Sequence, residues 1–459
     1  MTTTTSAPAQ TLERRLGPFD GAAIIVSNVI GGGILFLPPQ IAASVPNPVM
    51  FLLTWLAGGL LAFAGAMAYA ELAALRPRAG GEYVYLRDAY GRLVGFLTGW
   101  TSFVAGFSGA MAASAIVLTF YLDRFIPGSA NSTPLLVVPL PFVPITISTQ
   151  ALVASSAIVV AAIVHIVGVG PGRTVTNLLA SLKVVAFVGF IAFGLVLGTG
   201  STANLQQAAA PVTGAGWLFA LIPIMFTYSG WNAAAYMAEE IRNPGRNVPL
   251  ALAAGTVAVT AIYLLMNVLF LYVMPIGELA AVQGSVLDVV ADRLLGIRAG
   301  DVMGVVSIIS LAAGINAYTF AGPRVYFAMA RDGLFFRSAG RVHPRFKTPA
   351  ASIAAQAAFA ILLVLTGSLD ALANYVGFAI TLFLGLAVAA VFVLRSREPE
   401  APRPFKALGY PVTPAIFVVA SLAIVLNAFY SDLNRTLIGA GIILLGIPFY
   451  LLFRSRNAR

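Results

Sequence analysis

Twelve apolar runs, each about as long as an α-helix must be to cross a hydrocarbon core, fill this 459-residue chain almost from end to end. They fall at roughly 20-43, 49-75, 92-122, 151-170, 174-198, 214-240, 249-273, 301-330, 350-368, 371-394, 411-430 and 435-454. A hydrophobic fraction of 59%, a charged fraction of 10% and a mean hydropathy of +0.90 lie outside the range of soluble domains. Strands of a membrane barrel would alternate apolar and polar residues with period two, and these runs do not. The expected fold class is therefore an all-α membrane protein with 12 transmembrane helices. The polar head MTTTTSAPAQTLERR leads straight into a full-length run with no small-residue cleavage site before it, so no signal peptide is read. Residues 1-16 are expected to form a disordered cytoplasmic tail, and residues 17-459 a single transmembrane domain.

The net charge of +10 is a matter of topology. With the N-terminus inside, all but Arg124, Arg293, Arg298 and Arg435 of the 27 lysines and arginines fall toward the cytoplasm. This positive-inside bias predicts a multi-pass protein of the cell membrane with both termini cytoplasmic, and it removes the reading of a nucleic-acid binder. The absence of cysteine excludes disulfides, thiolate metal sites and cysteine nucleophiles. Neither histidine has a metal-ligand partner at usable spacing, and GVGPG at 168-172 lacks the Lys-Ser/Thr of a phosphate loop. No enzyme and no cofactor is expected. The longest stretch between runs, 123-150, reads as a proline-rich outer loop.

Two runs are interrupted where a helix should be strongest. The first reads SNVIGGGILFLPP at 27-39, with Gly31, Gly32 and Gly33 in its middle; the sixth reads FTYSGWN at 226-232, with Pro223 upstream of Ser229-Gly230. The broken runs stand five apart. If runs one to five and six to ten are structural copies, an odd number of crossings sets them in opposite orientations. That predicts an inverted repeat at about 20-198 and 214-394, with added helices at about 411-454. An unwound helix at mid-membrane leaves N–H and C=O groups that lipid cannot satisfy, so it is tolerated only where it lines a cavity. The half-helix starting at Gly32 and Gly33 offers N–H groups to an anion, and the half-helix ending near Val29 and Ile30 offers carbonyls to a cation. A ligand with a carboxylate and an ammonium on one carbon matches both. Close packing of helices through glycine is the competing reading of the same residues.

Lys183 lies ten residues after Arg173, about 15 Å along a helix from the membrane edge. Such a lysine either serves function or snorkels to the interface. His165, near the cytoplasmic end of the fourth run, reads as interfacial. No acidic residue falls in the central third of any run, so a cationic ligand would find no compensating charge and a neutral one fits better.

Five blocks in order carry a resemblance: VIGGGILFLPP, AYAELAALRPRAGGEYVYLRDAYG, FTYSGWNAAAYMAEEIRNPGRNVPLAL, AMARDGLFFRSAGRVHPRFKTPA and RPFKALGYPVTPA. From about residue 17 onward the chain resembles amino acid permeases of the amino acid-polyamine-organocation superfamily, and it is most similar to the L-amino-acid transporter branch. The resemblance implies a five-plus-five inverted repeat with broken first and sixth helices. It implies a substrate carboxylate on the N–H groups of Gly32 and Gly33, and an ammonium on the carbonyls of Val29, Phe226 and Ser229. Phe226 would close over the substrate as a gate. Asn232 would lie near the substrate or bond another helix. The family's Gly-Ser/Ala-Gly triplet is Gly31-Gly32-Gly33 here, so any hydroxyl contact at the middle position is lost. Lys183 would occupy the place of a coupling sodium, which argues for sodium-independent transport by exchange or proton symport. Glu71, Glu239 and Glu240 would hold gate or packing roles. The expected function is alternating-access transport of neutral L-amino acids. A polyamine permease, or a channel or non-transporting sensor of the same fold, are the alternatives. Relatives in animals join a heavy chain through a cysteine in the loop at 123-150; with none here, no disulfide-linked partner is expected, and the chain reads as a monomer or a noncovalent homodimer in the lipid bilayer.

Overall fold

The computed structural model describes residues 12–457 other than 140, 142, 297, 298 and 368. The first eleven residues of the expected tail lie outside the described residues, as do Arg298 and Arg459. Helix α1 (Pro18–Val29) opens on a proline, where the missing N–H has no helical partner to lose, and Asp20 accepts from the Gly17 N–H at 2.6 Å. The chain then breaks and restarts as α2 (Gly32–Phe36) and α3 (Pro38–Ser44). Asn47 caps α4 (Pro48–Leu75) by accepting from the Met50 N–H at 3.0 Å. Helix α5 (Glu82–Tyr90) is bounded by two glycines of positive φ, Gly81 and Gly91. Helices α6 (Arg92–Thr101) and α7 (Phe107–Leu122) join through one π turn at Ser102–Gly106.

The segment expected as a proline-rich outer loop contains an antiparallel ribbon of β1 (Pro134–Val138) and β2 (Ile145–Ser148). Its LLVV and ITIS sequences have the β-branched character of strands, but too few residues to span a bilayer. After it come α8 (Thr149–Val167), α9 (Val169–Leu197) and α10 (Gly214–Thr227), which ends at the second break. The remainder is α11 (Pro244–Val273), α12 (Ile276–Ala281), α13 (Val286–Leu295), α14 (Ala299–Arg331), α15 (Ala350–Thr366), α16 (Leu369–Arg397), α17 (Val412–Ser431), α18 (Leu433–Leu444) and α19 (Gly446–Asn457). Among the described residues, ten helical segments are long and apolar enough to cross a membrane, and two further apolar helices, Gly216–Thr227 and Ala350–Thr366, are shorter.

Large apolar side chains point outward along α8, α9 and α17, among them Val160, Val185, Val196 and Val419. That surface is the inverse of a soluble protein's and suits a hydrocarbon surround. Helix α1 sits inside, packed against α9, α11 and α14, and this placement puts its break at the centre of the protein.

One end of the bundle is tied by ion pairs. Arg324 and Glu240, both fully buried, meet through two contacts at 2.7 and 3.0 Å. Arg331 reaches Glu239 at 3.0 Å, Arg87 pairs with Asp332, and Arg395 grips Glu71 through two bonds of 2.8 and 2.7 Å. Residues 12–16, expected to continue the disordered tail, are held here instead. The Glu239 carboxylate accepts from the Leu12 N–H, and Leu16 exchanges backbone hydrogen bonds with Glu240 and Arg242. Buried Leu12 and Leu16 supply the apolar reason for that docking.

Candidate functional site

The two breaks lie against each other. Helix α1 ends at Ile30, whose ψ of 97° leaves the helical region, and Gly31 is extended before α2 begins. A Cβ placed on Gly33 would stand 2.9 to 3.1 Å from Thr227, the last residue of α10. In return Gly230, at φ +102°, turns its bare face to Asn28, whose atoms would lie 3.0 to 3.3 Å from a Cβ there. Any other residue at Gly230 would be strained and crowded together. Glycine at these two positions is therefore a joint between the two breaks.

Gly31 and Gly32 differ from both. A Cβ on Gly31 would meet nothing within 4 Å, and one on Gly32 would meet only Phe36, at 3.8 Å. Gly31 and Gly32 are partly exposed, and Phe36, four residues further on, lines a cavity of about 580 Å³ with Tyr121, Arg124 and Asp288. The first N–H groups of a helix have no acceptor within it. The break thus leaves the first N–H groups of α2 without an intrahelical acceptor, beside open space at Gly31. A larger cavity of about 1280 Å³ lies elsewhere, on the flank between α4, α10 and α17; its almost wholly apolar lining suits lipid.

The carbonyls freed at the end of α1 are already engaged. Lys183, fully buried on α9, donates to the Ser27 carbonyl at 3.2 Å and to the Ile30 carbonyl, which also accepts from the Ser310 hydroxyl at 3.2 Å. Snorkelling is ruled out for Lys183: its ammonium sits at the negative end of α1 and ties that end to α9, with Ser310 of α14 on the same oxygen. The Tyr263 hydroxyl, on α11, lies 2.8 Å from the Val29 carbonyl and 3.1 Å from that of Thr227. One proton serves two acceptors, so this phenol spans both breaks.

At the second break the Phe226 carbonyl accepts from the Ser229 N–H at 3.0 Å. The Phe226 ring is 62% exposed and does not cover Gly31, so the expected aromatic lid is not closed here. Asn232 is buried and its side-chain amide donates to the Tyr236 hydroxyl at 2.9 Å. The structure therefore brings Gly31, Gly32, Gly33, Ser229 and Asn232 into two adjoining breaks, while Val29, Ile30 and Phe226 spend carbonyl capacity on protein donors.

Sequence reasoning missed several residues. Tyr263 was one polar tip inside AIYLLMN, with no pattern to mark it. The Ser27 hydroxyl, inside the quoted glycine motif, is buried beside the break without a protein partner. His165, read as interfacial, is 2% exposed; its Nε2 lies 2.8 Å from the Asn316 side-chain oxygen, and Asn316 donates onward to Thr176 at 2.6 Å. A tertiary bond from α14 keeps this ring inside.

A family profile described as amino acid permease matches residues 16–453. The chain belongs to the amino acid permease family. Among its relatives is the serine/threonine exchanger SteT of Bacillus subtilis, 28% identical over 97% of this chain and 98% of that protein. The human b(0,+)-type amino acid transporter 1 is 31% identical over 96% of this chain and 88% of its own length. The mouse large neutral amino acids transporter small subunit 2 is 29% identical, over 96% and 81% respectively. The permease is thus a multi-pass membrane protein whose relatives carry amino acids across membranes, and each is matched over most of its length.

Proposed function

We propose that the permease is a secondary transporter that moves neutral L-amino acids by alternating access. The observation that carries this reading is the open backbone at Gly31 and Gly32, wedged against the second break through Gly33–Thr227 and Gly230–Asn28. Backbone N–H groups at the start of α2 receive the substrate carboxylate. The ammonium goes to the carbonyl oxygens of the break; a carbonyl has two lone pairs, so Val29, Phe226 and Ser229 keep capacity beyond their present bonds. The buried pairs Arg324–Glu240 and Arg395–Glu71 tie one end shut, and in this reading a substrate enters from the other. Rocking of the two halves would reverse this, with Phe226 moving to cover the substrate.

The family likeness and the matching breaks support the finer architecture. It comprises twelve spans with an inverted repeat at about 20-198 and 214-394 and two added helices at about 411-454, in the cell membrane with both termini cytoplasmic. Lys183 supports sodium independence, since its Nζ already occupies the carbonyl end of α1, donating to Ser27 and Ile30. The chain acts without a disulfide-linked partner, as a monomer or a noncovalent homodimer, and no covalent step or cofactor enters the cycle. Counterflow in proteoliposomes against a panel of amino acids, with putrescine as competitor and with and without sodium, tests this reading. Saturable counterflow of serine, alanine or leucine unaffected by sodium is expected. Binding without counterflow would make the permease a sensor, and competition by putrescine a cation carrier.

A further inference from the structure

Three glutamates at the ion-paired end, buried Glu71 and Glu240 and half-buried Glu239, each meet an arginine. Glu82 does not. The first residue of α5, it is 7% exposed and sits in a phenol cage: Tyr69 of α4 donates to Oε2 and Tyr236 to Oε1, both at 2.7 Å. Among the described residues no lysine, arginine or histidine forms an ion pair with it. The neighbouring charges are committed elsewhere. On α5, Arg87 pairs with Asp88 and Asp332; on α14, Arg324 pairs with Glu240, and Asp332 also accepts from Tyr83 at 2.7 Å. Arg76 binds Asp88 and Glu398; on α16, Arg395 binds Glu71, and Arg397 donates to the Ala89 carbonyl of α5. Tyr85 completes the surround, its ring 5.6 Å from Tyr69 and its buried hydroxyl without a partner.

Burial without a counter-cation lifts the Glu82 carboxyl above the usual carboxylate range, and the two phenol bonds pull it partly back. The N-terminus of α5 also favours the anion. These opposing effects make Glu82 a group that exchanges a proton instead of a fixed charge. The bonds beyond it have a direction: Asn232 donates to Tyr236, and Tyr236 donates to Glu82.

We propose that Glu82 is a proton-binding site whose occupancy decides which atom of Asn232 faces the substrate. When a proton from water binds Oε1, that oxygen becomes a donor and the Tyr236 hydroxyl must accept. The Tyr236 proton then turns toward Asn232, which can accept only through Oδ1, so its amide rotates by half a turn. Tyr69 still donates to Oε2 in both states. One proton is taken up, one O–H bond forms on Glu82 and no other covalent bond changes. The ionised state leaves the Asn232 oxygen free for an ammonium; the protonated state leaves its NH₂ free for a carboxylate or a polar side chain. This inference rests on the placement of Asn232 beside the substrate and names the proton as the co-ion of that site.

The test measures counterflow KM between about pH 5 and about pH 8 in proteoliposomes holding the full chain. In the unaltered permease, KM should change about fivefold across the range, the size of one neutral hydrogen bond. Glu82→Gln and Tyr236→Phe should both flatten the profile. Tyr69→Phe removes a bond that favours the anion, so it should keep the slope and move the midpoint to higher pH. A flat profile in the unaltered chain, or an unchanged slope in Glu82→Gln with its melting temperature retained, overturns the proposal. Infrared difference spectra on acidification give a readout that does not need transport. A protonated-carboxyl band should appear in the unaltered protein and be missing in Glu82→Gln, and its persistence in the variant overturns the assignment. Failure of counterflow at every pH with that band intact would sink the transport reading and leave the proton site standing.

Discussion

The two helix breaks look alike in sequence, glycine inside an apolar run, yet they do different work. At the second, Gly230 is held at positive φ with Asn28 pressed against it, and the chain passes at once into a short tight turn at Ala233–Met237. At the first, Gly31 and Gly32 face open space, while the carbonyls just before them are pinned by Lys183, Ser310 and Tyr263 from three different helices. One break is a fitted joint and the other is a surface kept free by props. Glycine marks both because it has no Cβ, but the missing Cβ leaves room for protein in one case and, in the other, open space in which we place the ligand.

Substitutions should separate the two by their cost to the fold. Gly230→Ala carries the largest. It forces a side chain into positive φ and within about 3 Å of Asn28, a penalty of roughly 1–3 kcal/mol from strain, with crowding in addition. A melting temperature well below that of the unaltered permease, with uptake lost in parallel, is the expected result. An unshifted melting curve would break the joint interpretation. Lys183→Met comes next. It keeps the apolar stem but removes the donor from two carbonyls, one of which, on Ser27, has no other partner among the described residues; leaving that group bare costs about 1–3 kcal/mol. Counterflow should fall by more than the loss of folded protein explains, because the end of α1 loses its tether to α9. Tyr263→Phe is milder. Its hydroxyl gives one proton to two carbonyls, so about 1 kcal/mol is at stake. Hydrogen exchange near Val29 and Thr227 should quicken in this variant; unchanged exchange at both would mean the phenol does not couple the breaks.

Much of this was legible in the sequence, for identifiable reasons. Helical spans show because hydrocarbon demands long apolar runs whatever the tertiary structure. The breaks show because glycine and proline act locally, and Lys183 shows because a charge inside an apolar run has no local excuse. The phenol cage around Glu82 did not show. It joins residues 69, 82, 85 and 236, and a tyrosine inside an apolar stretch reads equally well as packing. His165 was misplaced for the same reason: its burial depends on Asn316, 151 positions away. Docking of residues 12–16 depends on Glu239 and Glu240, which a polar tail gives no hint of. Gly33 was legible as special but not in kind. Its neighbour is Thr227, through both the side chain and the Cα, so a large residue there would test packing before binding.

That last point moves the decisive test to Gly31 and Gly32, where the effect on stability is smallest. Gly32→Ala puts a methyl group at ordinary contact distance from Phe36, and Gly31→Ala puts one into empty space, with neither position at positive φ. Stability should stay within about 0.5 kcal/mol, since neither change crowds the core or uncovers a buried polar group. Any loss of substrate affinity must then come from the methyl group standing where the ligand approaches the backbone. A KM raised several-fold with an unchanged melting temperature would locate the substrate against these two residues. Unchanged KM in both variants would turn the first break into a second joint and remove the distinction between the two. Gly33→Ala serves as the internal contrast: one methyl group pressed against Thr227 should lower the melting temperature first. A fall in affinity without loss of stability at 31 and 32, and loss of stability at 33, would show that three identical neighbours serve two purposes, one facing the substrate and one facing the other half of the protein.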